Sequence, residues 1–133
     1  METKEFYDSS GKLSLEVSFP EPQIMKVAVV GPVDETVARQ ISGLVTHLFE
    51  SGELRGVISD AGGGQTLSPE VISIFAKSDA FNSVRRIGVY GVTNPVFKLS
   101  LDAIIKASGR DNVRLFDSER AALEFAREEQ ASR

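Results

Sequence analysis

Residues 56 to 75, GVISDAGGGQTLSPEVISIF, carry a short apolar run into three consecutive glycines and then into an amphipathic segment. Leu54, Val57 and Ile58 are bounded by polar residues and glycines, the pattern of a strand covered on both faces, with Asp60 at its carboxyl end. Gly62, Gly63 and Gly64 accept positive φ without steric cost, so the backbone there can turn sharply or approach another group closely. Ser68 is placed as an N-cap, and Pro69 suits the first helical position because its missing N–H would have had no partner. Strand, glycine loop and helix therefore follow one another, and any working site is expected at this junction.

In open sheets of βα units, ligands and partners meet the chain outside the carboxyl ends of the strands. A helix N-terminus adds partial positive charge and N–H donors, which suit an anion, including a phosphate on its own hydroxyl. The plainer reading is that the glycines are a connector and Ser68 is only a cap. AGGGQT is not a P-loop, because no lysine follows the glycines.

A chain of 133 residues with 41% hydrophobic and 26% charged content fits one domain spanning 1–133, its last few residues frayed. It has no cysteine, so disulfides, thiolate metal sites and cysteine nucleophiles are excluded. The amino terminus lacks a signal-peptide core, and no run approaches the roughly 20 apolar residues of a membrane span. A cytoplasmic protein is expected. The net charge of −4 argues against nucleic acid, which demands a basic patch. Arg85 and Arg86, the adjacent basic pair, read as a solvated strand start. His47 is the single histidine and has no second one to share a metal; neither a metal site nor a cofactor is expected.

Lys12 to Phe19 alternates Leu13, Leu15, Val17 and Phe19 with Ser14, Glu16 and Ser18, the period of a half-exposed strand. Residues 4 to 8 are the expected first arm of its hairpin, and Pro20-Glu21-Pro22 is expected to end the second arm. Ile24 to Val30 is nearly continuous apolar sequence, a central strand. Asp34 caps a helix whose Val37, Ala38, Ile41, Leu44, Val45, Leu48 and Phe49 form one broad apolar face. After the glycine junction, Val71, Ile72, Phe75 and Ala76 line a second helix, and Ala80-Phe81-Asn82 leads out of it with Phe81 under the loop. Ile87 to Val92 is a strand, and Thr93-Asn94-Pro95 opens a third helix by the same cap-then-proline device. Both loops should then lie on one edge of a parallel region, making 91–95 a second wall of the site. Val113 to Phe116 is a last strand, Asp117-Ser118 caps a final helix, and the tail from Arg127 to Arg133 is expected to fray. The fold class is α/β: a mixed sheet of about five to six strands, an antiparallel amino-terminal hairpin followed by βα repeats, and four helices.

VAVVGPVDETVARQISGLV, RGVISDAGGG, VRRIGVYGVTNPVFKLSLDAI and VRLFDSERAALEF, in this order, resemble the anti-sigma-factor antagonist (STAS) domain, in particular its SpoIIAA-like bacterial members. The resemblance covers most of the chain. It implies a non-enzymatic regulatory module with a protein partner, a kinase-type anti-sigma factor, and a phosphorylated serine at the start of the second helix. That family usually carries there an aspartate, two small hydroxyl residues and a glycine. Gln65-Thr66-Leu67-Ser68-Pro69 lacks the aspartate and the glycine, leaving Thr66 and Ser68 as the candidate phospho-acceptors.

Three functions compete on this basis. The leading one is a protein-interaction module using Asp60, Gly62, Gly63, Gly64, Gln65, Thr93 and Asn94. The second is a binder of a small anionic ligand, a lipid, nucleotide or phosphate, at the glycine loop. The third is an enzyme with Asp60 as acid or base, for which neither a histidine nor a second carboxylate is spaced to complete a set. An edge of the amino-terminal hairpin, apolar on one face from Leu13 to Phe19, also offers a route to a homodimer.

Overall fold

The computed structural model describes residues 3–109 and 111–127, the side chain of Ala80 excepted. Six strands form one sheet in the order β1 (Lys4–Tyr7), β2 (Leu13–Glu21), β3 (Ile24–Val29), β4 (Gly56–Asp60), β5 (Arg86–Tyr90) and β6 (Val113–Phe116). The first three are antiparallel and the last four run parallel. The helices are α1 (Glu35–Glu50), α2 (Pro69–Ala76), α3 (Asp79–Ser83), α4 (Pro95–Ser108) and α5 (Glu119–Arg127). The expected four helices thus become five. The addition, α3, is a five-residue turn capped by Ser78, whose Oγ accepts from the Phe81 N–H at 3.4 Å. So short a helix shows no 3.6-residue period in sequence. Phe81 packs edge-on against Phe75, with ring centroids 5.7 Å apart.

The parallel strands advance in one direction across the sheet, and right-handed crossovers then place every crossover helix on the same face. Val37, Ala38, Ile41, Val45 and Leu48 of α1, Val71 of α2 and Phe97 of α4 accordingly bury against Leu15, Val17, Met25, Val27, Val57 and Val89. Phe49, expected on the same helical face, is 39% exposed, since it falls beyond the edge of that stripe. His47 is exposed.

Among the described residues, α5 alone crosses to the second face, where Ala122 and Ala126 meet Ile24, Ile58 and Tyr90. Two glycines allow this approach. A Cβ at Gly88 would lie 2.9 Å from the Ala122 carbonyl oxygen, and one at Gly56 2.8 Å from that of Ala126. Phe125 of α5 is buried beneath Arg86, whose guanidinium lies 4.5 Å from the ring centroid, so Arg86 is a packed cation and not a solvated one. Arg85 beside it is exposed.

The second hairpin corrects two expectations. β2 continues through Pro20 to Glu21, because the register shifts between Ser18 and Glu21 and spares the proline a ladder hydrogen bond. Pro22 and Gln23 then make the turn, with Gln23 at φ 69°. The strand from Leu13 is also not an edge: β1 and β3 flank it, and Leu15 and Val17 are core residues. The amino-terminal edge is β1, four residues carrying Lys4 and Glu5. The tail from residue 128 onward lies outside the described residues. Among those residues, no helix is long and apolar enough to cross a membrane.

Candidate functional site

The carboxyl ends of β4 and β5 deliver the chain into the two loops expected to face each other. Pro69 restricts the preceding residue to extended backbone, and Ser68 at φ −71°, ψ 158° has the conformation an N-cap needs. Its Oγ accepts from the Val71 N–H at 3.2 Å. Asn94 repeats the device: its Oδ1 accepts from Val96 at 2.9 Å and Phe97 at 3.4 Å. Its Nδ2 also donates to the Gly64 carbonyl at 3.4 Å, which ties the 91–95 loop to the glycine loop. Thr66, Ser68, Gln65 and Thr93 are exposed at this edge.

The three glycines are not in the left-handed region; in this part of the chain positive φ belongs to Gly91, at 76°. Gly63 and Gly64 are small because the loop is pressed against its neighbours. A Cβ at Gly63 would collide with the Val29 carbonyl and lie 2.9 Å from Val30 Cα, while one at Gly64 would enter the Phe97 ring. Their amides are engaged as well. Gly62 donates to Asp60 Oδ1, Gly63 to the Val29 carbonyl and Gly64 to the Ala61 carbonyl, each at 3.0 Å. The glycine backbone therefore has no spare N–H for a bound anion.

Asp60 stands in register between Ala28 and Tyr90 on the α5 face of the sheet. Its carboxylate holds the start of the loop through Gly62. Nearby on the same face, Lys26 lies 3.3 Å from Glu119. Burial alone would lower the Lys26 ammonium pKa, but Tyr90 and Glu119 more than offset it and leave it raised. Burial also pushes the Tyr90 hydroxyl up, against the smaller opposing effect of Lys26. Among the described residues no group of three or more histidine, cysteine or acidic side chains is placed to hold a metal.

Two residues absent from the sequence-based site belong to its foundation. Ser100 is buried and its Oγ accepts from the Leu67 N–H at 3.3 Å, fixing the loop just before Ser68. Its position three residues after Phe97, on the same helical stripe, was the available signal. Ser59, by contrast, points to the helix-covered face beside Leu67 and Phe97, as the alternation from Asp60 dictates.

This architecture, an antiparallel start and a parallel remainder, matches the SpoIIAA fold. Over 86% of this chain and 100% of the other, it is similar to the Bacillus cell fate determinant SpoIIAA in its phosphorylated form, with a TM-score of 0.63 and 11% identity. A serine-to-glutamate variant of RsbS from Moorella thermoacetica is similar over 93% of both chains, with a TM-score of 0.56 and 11% identity. At that identity the likeness establishes the fold. No protein-family model and no curated protein sequence matches the chain.

Proposed function

We propose that this chain is a regulatory protein-interaction module that docks a partner protein across the loops at 60–68 and 91–95. The observation that carries the proposal is apolar exposure around those loops. Leu99 is 67%, Val96 48% and Val30 43% exposed. Val96 and Leu99 lie on the first turns of α4, which Asn94 opens, and Val30 borders Gly63. Apolar side chains rimmed by polar loop residues are what a partner surface requires.

The fold supports a partner of the kind that SpoIIAA-like antagonists meet, a kinase-type anti-sigma factor. Thr66 and Ser68 are exposed hydroxyls beside the apolar group, and a phosphate on either would bring about two negative charges to the docking face. At Ser68 it would meet the favourable end of the α2 dipole and also Glu70 in the first turn. The helix would keep its start while an acidic partner was repelled. An anionic ligand held by the glycine backbone fits less well, because all three glycine amides are already bonded.

The test is affinity purification from the native host of wild type, Leu99→Glu, Thr66→Glu and Ser68→Asp, with Gly43→Glu, in the exposed middle of α1, as control. The expected result is a partner retained by wild type and the control, lost with Leu99→Glu, and released by at least one of the two acidic loop variants. Equal recovery by all five proteins contradicts the docking surface.

A further inference from the structure

Beneath the same loops, between the sheet and the helices, lies a cavity of about 140 Å³. Its floor is Val27, Val57 and Val89, and Phe75, Phe97 and Ile104 stand over it. Interiors normally pack like organic crystals, with few voids larger than a water molecule. Two features keep this one open. Val27, Val57 and Val89, with Leu15 and Ile87 beside them on the floor, carry the shortest branched aliphatic side chains, where a leucine or phenylalanine would reach further upward. The roof helices α2 and α4 lean on each other, and α2 and α3 on α1, while Phe75, Leu101 and Ile104 stay half-buried.

Water has little reason to occupy the space. A buried water needs two to four polar partners, and Ser59 supplies the one side-chain hydroxyl among the lining residues. An apolar cavity of about 150 Å³ in another protein stays dry and takes up benzene or xenon. We propose that this cavity is a binding site for a compact, uncharged apolar group of about benzene's size, either a free molecule or the tip of an alkyl chain. Recognition is by shape and burial, with Ser59 able to make one hydrogen bond.

Leu67, in the loop, and Phe97, on the first turn of α4 against Gly64, both belong to the cavity wall. A bound apolar group would press on the residue before Ser68 and on the ring that backs Gly64, so occupancy is expected to stiffen the docking surface. That coupling rests on the function proposed above; binding in the cavity does not.

The experiment is methyl-detected NMR of the whole chain titrated with benzene and, separately, with octanoate. Saturable benzene shifts at the methyls of Val27, Val57, Val89, Leu67 and Ile104, with Ile24 and Ile58 on the opposite face unmoved, are expected. Octanoate shifting the same set identifies a chain tip as an acceptable occupant; octanoate without effect restricts the site to free molecules. Val89→Phe should weaken benzene binding at least tenfold, with Val89→Leu as the gentler filling variant should the first not fold. Absence of saturable shifts, or undiminished binding in a folded filling variant, overturns the proposal. Because this reads binding directly, it can fail while the docking surface survives, and the reverse.

Discussion

The ring of Phe97 on α4 occupies the space that a side chain at Gly64 would need. The glycine loop and the third crossover helix are thereby interlocked, and Asn94 adds a hydrogen bond to the Gly64 carbonyl. Gly64→Ala should destabilise the protein by about 1–3 kcal/mol through overpacking. Adding Phe97→Leu, which clears part of the space, should recover some of that loss, giving a coupling of about 0.5–3 kcal/mol in a double-mutant cycle by urea denaturation. Strict additivity would show that the two residues do not share the space.

Two further glycine substitutions should move stability in opposite directions. Gly88→Ala drives a methyl into the backbone of α5 at Ala122 and is expected to cost about 1–3 kcal/mol. Gly43 sits in α1 with open space around it, so Gly43→Ala should gain about 0.5–1 kcal/mol from helix propensity. Thermal unfolding of both variants checks the sign directly.

Stability should depend on pH through Asp34. Ser9 donates its N–H and its hydroxyl to Oδ2, each at 2.8 Å, and Val37 donates its N–H to Oδ1 at 3.0 Å. These bonds, the Ser9 N–H foremost, hold the carboxyl below its ordinary value. A depressed folded pKa means that the stabilisation is complete above the unfolded value of about 3.9 and is lost as pH falls through the lower folded value. Asp34→Asn keeps a capping oxygen but cannot titrate. The melting temperature of wild type should exceed that of the variant at pH 7, and the gap should close below about pH 4. A gap that stays constant to pH 2 would contradict the assignment.

At Ser68, capping and signalling can be separated. Ser68→Ala removes the acceptor for Val71 and should cost about 1 kcal/mol, whereas Ser68→Asp retains a good cap and should leave stability near that of wild type. Guanidinium denaturation of the pair distinguishes a binding defect of Ser68→Asp from simple unfolding of α2.

Much of the fold is legible in the residues, because β2 alternates with period two, α1 carries one apolar stripe, and both Ser68-Pro69 and Asn94-Pro95 announce helix starts. Less legible were features set by contacts distant in sequence. The glycines read as a flexible turn; Gly63 and Gly64 are small because Val29, Val30 and Phe97 press on the loop from other elements. Pro20 reads as a strand end, yet a register shift that depends on β3 lets the strand continue. Asp60 reads as a site carboxylate, and strand parity puts it on the α5 face, holding Gly62. Ser100 and Ser59 look like ordinary hydroxyls until helix and strand phases bring them under the loop.

The most direct test of the docking surface is site-specific photocrosslinking in the native host, with the photoreactive residue placed at Thr66, at Leu99, or at Gly43 as reference. The same partner protein should be captured from Thr66 and Leu99 and not from Gly43, and its capture from Leu99 should fall when Ser68→Asp is added. Capture from Gly43 as strong as from the two loop-side positions, or none from any of them, would contradict a partner docked on this edge.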